Sequence, residues 1–231
     1  LSLHDALPIL SPKRLAYSAH SIRARVALKD LDALAAMTAV SRIRRAAPAY
    51  TSASRTPGPV VAASTRAASR SRISRPLANA LNRSEGVQAH GADQARNTYG
   101  ASGQGQMICV LSDGIDALAA SQASGDLPAD ITVLPGQAGS GDEGTAMLEI
   151  VHDMAPGAAL GFATAFTSEA SFAQNILDLA TAGCTIIVDD VIYLDESPWQ
   201  DGPVAQSVNT VTAAGVLYFS SAGNEGNKTD A

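Results

Sequence analysis

From residue 87 onward the chain alternates between two hydrophobic patterns. Short apolar runs occupy 107–111 (MICVL), 160–165, 184–188 and 216–220. Between them, apolar residues recur at helical spacing over 144–154, 171–182 and 206–214. Gly183 and Gly215 follow two of these stretches, where a left-handed residue closes a helix. Strands apolar on both sides are buried on both faces, and their alternation with helices predicts a parallel α/β sheet. In such sheets chemistry collects at the carboxyl ends of the strands. Three of the predicted strands end in Asp113, in Asp189-Asp190 and in Asn224.

The first part of the chain has a weaker pattern. Ile22, Ala24, Val26 and Leu28 alternate with Arg23, Arg25 and Ala27, which predicts a half-buried strand. Leu31, Leu34, Ala35 and Met37 follow at helical spacing, with Asp30 and Asp32 in the first turn, where carboxylates favour the helix dipole. Val40, Ile43 and the alanines up to Pro48 predict a second strand. The result is a small β-α-β unit that can bury little by itself. Residues 51–86 are Ser, Ala, Arg, Thr, Pro and Gly without a period, and read as a disordered linker. Residues 1–10, LSLHDALPIL, resemble a translated sequencing adapter and are set apart from the fold. With no initiating Met at residue 1, the sequence is expected to be a fragment at its start. The expected division is therefore 1–10 artefact, 11–50 β-α-β unit, 51–86 linker and 87–231 an α/β domain.

Composition narrows this picture. Hydrophobic residues make up 46% of the 231, enough for a core. No run reaches the roughly 20 apolar residues of a membrane span, so no membrane partner is expected. Cys109 and Cys184 cannot build a disulfide-rich scaffold or a four-cysteine zinc site. Each falls in an apolar strand and is expected to be a buried, inert thiol. The net charge of −6 conceals a split: residues 1–85 carry 14 of the 16 Lys and Arg and sum to +10, while residues 86–231 sum to −16. The arginines at 66–75 have no aromatics among them, so the stacking half of a nucleic-acid signal is missing and no nucleic-acid partner is expected.

Three residues are candidates for chemistry. Asp113 ends a strand before Gly114, and is either a turn-capping residue or a carboxylate that orients a base or holds a cation. Glu143 opens a helix in GDEGTAMLEIVHDMAPGA, and is either a first-turn acid or a catalytic carboxyl facing Asp113. Asn224 follows a strand in SSAGNEG, and is either a turn residue or an amide donor to an oxyanion. His152 lies nine residues beyond Glu143, about 14 Å along a helix, and is expected to be a surface or packing residue. No pair of histidines has metal-ligand spacing. The Gly-rich stretch at 100–105 precedes its strand rather than following it, so a dinucleotide loop is excluded on order.

These segments resemble the subtilisin-like serine peptidases and the related serine-carboxyl peptidases, the sedolisins. Residues 103–116, GQGQMICVLSDGID, are similar to the segment carrying the subtilase catalytic Asp, which maps to Asp113. Residues 142–161, DEGTAMLEIVHDMAPGAALG, resemble the HGTHVAG helix and the APGA that follows it. Residues 216–226, VLYFSSAGNEG, resemble the oxyanion segment, with Asn224 at the matching position. Residues 21–48 resemble the end of the subtilase propeptide. There are departures. Glu143 stands where subtilases have His, as in sedolisins, but the sedolisin Asp four residues later is Met147 here, and Asn224 is the subtilase rather than the sedolisin oxyanion residue.

The resemblance implies a partial subtilisin-like parallel sheet and a secreted serine endopeptidase precursor. Its base would be Glu143, its orienting acid Asp113 and its oxyanion donor Asn224. Polypeptide substrate and the chain's own N-terminal prosegment would be its partners. It implies no cofactor, and calcium has no motif here. The family nucleophile belongs to a Gly-Thr-Ser segment that the sequence does not contain, so this fragment is expected to be inactive. Two other readings stand beside it. One is a subtilase-like pseudoenzyme that binds peptides without catalysis. The other is an unrelated α/β binding domain with a basic nucleic-acid arm.

Overall fold

A computed structural model describes residues 14–17, 22–51, 83–196 and 199–223. The adapter-like residues 1–10, most of the predicted linker, and Asn224 lie outside the described residues.

Strands β1 (Arg14–Tyr17) and β2 (Ile22–Ala24) form an antiparallel pair. Helix α1 (Leu31–Ala35) follows, and then the two-residue strand β3 (Tyr50–Thr51). The predicted order strand, helix, strand is present, but its details differ. The segment 40–48 is not a strand. The second strand lies further on, at Tyr50–Thr51, and pairs not with β2 but with the later part of the chain. A short strand forms where a free sheet edge accepts its hydrogen bonds, and periodicity carries no information about that edge.

Helices α2 (Gly86–Ala89) and α3 (Ala92–Tyr99) open the main body. Then come β4 (Met107–Ser112), α4 (Leu118–Ser124), β5 (Ile131–Val133), α5 (Glu143–Met154), β6 (Ala159–Thr164) and α6 (Glu169–Thr181). The described part ends with β7 (Ile186–Asp189), β8 (Val191–Ile192), α7 (Pro203–Ala213) and β9 (Leu217–Ser220). Gly183 and Gly215 have φ of 105° and 95°, the left-handed conformation predicted for the ends of α6 and α7.

Five strands form one parallel sheet in the order β5-β6-β4-β7-β9, flanked by helices, so the predicted α/β class is the observed one. Alternate residues of each strand serve opposite faces. On one face Val110, Leu160 and Phe162 pack with Leu148 of α5, and Val188 lies against them. On the other, Cys109, Leu111, Ala163 and Ile187 pack with Phe172, Ile176 and Leu179 of α6 and Val211 of α7. The chain leaves β4 towards α4 and α5 on the first face, and leaves β7 towards α7 on the second. The carboxyl ends of β4 and β7, neighbours in the sheet, therefore flank the point where connections part to opposite sides. Open α/β sheets form their binding crevice at this point.

The cysteines depart from expectation. Cys109 in β4 and Cys184, just before β7, are both fully enclosed and joined as a disulfide, with Cα atoms 5.9 Å apart. Both side chains enter the same core layer, Cys109 from β4 and Cys184 from the turn that leads into the adjacent β7, which brings residues 75 apart in sequence within bonding reach.

Candidate active site

Asp113 follows β4 directly. Its Oδ1 accepts the Gly114 N–H at 2.5 Å and the Gly144 N–H, in the first turn of α5, at 3.2 Å. A carboxylate is favoured there by the unpaired N–H groups and the helix dipole. Its carbonyl accepts the Thr164 hydroxyl at 2.7 Å. The loop before α5 closes over it: Gly141, at φ 125°, lies so near that a Cβ there would collide with the Asp113 carboxylate. Asp116 pins the same loop by accepting from Gly141 N at 2.9 Å and Ser140 Oγ at 3.1 Å.

Glu143 is the first residue of α5. The helix sits low on the sheet because Gly144 has no side chain; a Cβ there would collide with the Phe162 ring and the Gly114 carbonyl. That approach carries the Glu143 carboxyl over the ends of β4 and β7. Asp113, Asp190 and the Thr51 hydroxyl all act on it electrostatically. Burial, added to by Asp190 and Asp113, holds the Glu143 carboxyl above the ordinary carboxylate range, while the Thr51 hydroxyl pulls it down. Its Oε2 is enclosed and has no hydrogen-bond partner among the described residues.

The doublet Asp189-Asp190 splits between the two faces. Asp189 shares the parity of Ile187 and is buried on the α6–α7 side, accepting from Val191 N at 3.1 Å and Ser220 Oγ at 2.9 Å. Burial raises its carboxyl above the usual range, against the Tyr218 hydroxyl, the Val191 N–H and the Ser220 hydroxyl, which lower it. Asp190 shares the parity of Val188 and rises on the α5 side, beside Glu143, where the Ser221 hydroxyl donates to its Oδ1. Gly223 N in turn donates to the Ser221 hydroxyl at 3.1 Å.

Across this cluster runs the chain's own strand β3. It pairs antiparallel with β8, Tyr50 opposite Ile192 and Thr51 opposite Val191, and buries Thr51. Thr51 was expected to begin the linker; it is instead the last residue of a strand whose hydroxyl meets Glu143. Arg44, upstream of that strand, makes ion pairs with Glu169 at the start of α6 and with Asp195 beyond β8, and Arg23 donates to the Thr167 carbonyl.

The structure thus brings together two of the three residues expected to act, Asp113 and Glu143. It adds Asp190, which the sequence placed at a chemistry-bearing strand end without a named role, and Thr51, which it read as linker. His152 falls in the last turn of α5, half-buried and far along the helix from Glu143. Among the described residues no group of three or more His, Cys, Asp or Glu is placed to hold a metal ion. No helix of the described residues is long and apolar enough to cross a membrane. No protein-family model matches this sequence, and no curated protein matches it.

Proposed function

We propose that this chain is the N-terminal part of a secreted, subtilisin-like serine endopeptidase precursor in which Glu143 replaces the usual histidine base. The observation that carries this reading is the meeting of Glu143 with Asp113 at the sheet's switch point, beneath an extended strand of the chain itself. An enzyme that cuts extended peptides needs a carboxyl-end crevice, a base within it and a free strand edge that pairs with substrate backbone. β8 has such an edge, and β3 lies on it in the way a peptide would. This arrangement supports the assignment of residues up to Thr51 as a prosegment, and the basic N-terminal part complements the acidic remainder.

In the proposed reaction Glu143 takes the proton of a serine hydroxyl as that oxygen attacks the scissile carbonyl. It later returns the proton to the leaving amine. Asp113, held by two backbone N–H groups, fixes the start of α5 and therefore the base. Asn224 would donate to the oxyanion, an interaction worth about 10²–10³ in rate. A carboxylate near its ordinary ~4.3 is a weak base; burial makes Glu143 a stronger one, and a carboxyl base favours an acidic optimum over a neutral one. The Cys109–Cys184 disulfide supports an oxidising, extracytoplasmic destination.

The test is to express the open reading frame that contains this chain and to assay casein hydrolysis from pH 3 to 8, with Glu143→Ala in parallel. A peak in acid that falls about 10²–10⁴-fold in the variant is expected. Activity that survives the substitution rejects Glu143 as the base. A folded, processed protein that binds peptides and never cleaves them favours the pseudoenzyme instead.

A further inference from the structure

We propose that the groove along β8 selects peptides with small side chains, such as Ala, Ser or Thr, at alternate positions, and that Tyr193 sets this limit. The proposal names the substrate class of the peptidase reading and rests on it for cleavage. The selectivity of the groove itself stands independently.

β3 shows what the groove accepts, because it is a segment of peptide already seated on the β8 edge. In an antiparallel pair, residues opposite each other share a face, and successive residues alternate between faces. Thr51 stands opposite Val191, and Tyr50 stands opposite Ile192. Thr51 is buried, whereas Ile192 is exposed, so the first pair is the inner one. The residues leading into β3 keep the same alternation. Ala47 and Ala49 are partly buried and pack against the core layer of α6, while Pro48 between them is exposed. The inner row is therefore Ala47, Ala49 and Thr51, three small side chains in succession. The outer row holds Pro48 and Tyr50. An aromatic ring is accepted where the row opens to solvent, and none occurs where the row faces the core.

The floor of the inner row explains this. Tyr193 belongs to the core layer against which Ala47, Ala49 and Val191 pack. The register of β3 and β8, carried one residue further, sets Ala49 opposite Tyr193. Tyr193 is buried and fixed at both ends of its side chain. Its hydroxyl donates to the Ala165 carbonyl at 2.7 Å, and its ring lies against Phe172 with centroids 6.1 Å apart. Pushing the ring aside would strand a buried hydroxyl and a buried carbonyl, which costs more than the lost contact alone. A long side chain at the Ala49 position therefore meets a wall that does not yield. On the outer row Ile192 and Leu194 are themselves exposed and build no wall. The groove discriminates by size on one side of the peptide and tolerates variety on the other.

Two measurements test this. In the 231-residue chain, Ala49→Ser, Ala49→Val and Ala49→Phe should release β3 in order of side-chain volume, with Phe raising hydrogen exchange at the β3 and β8 amides about 10-fold or more. Tyr193→Ala added to Ala49→Phe should slow that exchange again, whereas Tyr193→Phe, which keeps the ring, should not. Tyr50→Trp, an enlargement on the outer row, should leave exchange unchanged. In the processed enzyme from the full reading frame, a synthetic peptide copying residues 44–51 should inhibit casein hydrolysis. Phe at its Ala49 position should weaken inhibition about 10–100-fold, and Trp at its Tyr50 position should have little effect. Exchange that does not follow side-chain volume at 49 overturns the proposal, whether or not the enzyme cuts. Equal inhibition by the Ala and Phe peptides overturns it as well. Graded exchange in a protein that never hydrolyses casein removes the peptidase reading and leaves a size-selective peptide groove.

Discussion

Consecutive strand residues face opposite sides of a sheet, so Asp189 and Asp190, neighbours in sequence, meet different surroundings. Asp189 is the buried one, and burial holds its carboxyl above the usual range. The native state therefore keeps a proton that the unfolded chain releases near its ordinary ~3.9. Between that value and the raised one the native state binds more protons, and stability falls as pH rises. Asp189→Asn can still accept from Val191 N and Ser220 Oγ but cannot ionise. The melting temperature of the variant should decline less between pH 4 and 7 than that of the wild type, and parallel curves would contradict this. The doublet was legible from sequence as the end of a strand. Its division was not, because which residue faces α5 depends on strand parity within a sheet whose helix placement the sequence leaves open. Asn224, conspicuous in the sequence, lies outside the described residues, whereas Thr51 gave no signal beyond a Tyr-Thr dipeptide at the edge of a polar stretch.

Elements position these residues through close contacts at small side chains. Gly144 lets α5 touch Phe162 and the Gly114 carbonyl. Gly144→Ala should cost about 1–3 kcal/mol by overpacking and should lift the start of the helix away from Asp113. Denaturant unfolding measures the first effect, and the titration of Glu143 reads the second. β3 is held differently, since two residues of strand are a weak attachment. Arg44 anchors the segment before it by bridging Glu169, largely buried, and Asp195. Arg44→Ala leaves the Glu169 carboxylate without that cation, so the amides at 50–51 should exchange hydrogen faster, while those of β4 and β6 stay protected. Unchanged exchange at 50–51 would mean that β8 alone holds the strand. The sequence revealed β4, β6 and β7 because strands inside a parallel sheet are apolar without interruption; β9 showed through the same kind of run although it lies at the sheet's edge with Leu217 and Phe219 exposed. It missed α3, α4 and the edge strand β5, whose polar residues face solvent and whose apolar ones are too few to set a period. It predicted a strand at 40–48 where composition allowed one but no edge received it.

At the scale of the molecule, the main body is a sheet whose two core layers are joined through the same strands, and one layer carries a covalent tie. Cys109–Cys184 closes a loop of 75 residues that contains α4, β5, α5, β6 and α6. The sequence offered no sign of the pairing, since two apolar positions far apart read as separate thiols until the parallel register sets them side by side. By chain entropy a loop of that length is worth about 4 kcal/mol, a large fraction of the roughly 5–15 kcal/mol that holds an ordinary domain. The loop also contains both Glu143 and the segment that covers Asp113, so the tie restrains the site as well as the core. Replacing both cysteines by alanine should lower the melting temperature by about 10 °C, at roughly 2–4 °C per kcal/mol for a body of this size. The small cavity left in the α6 layer adds to the loss. Because both sulfurs are enclosed, reductant should leave the folded protein's melting curve unchanged at first and shift it only after partial unfolding admits the reagent. Intact-mass measurement before and after reduction, with and without denaturant, reads this directly. A gain of two hydrogens only when denaturant is present supports a buried structural bridge. The same gain in native buffer would mean that the sheet opens between β4 and β7, at the very strands that carry Asp113 and Asp190.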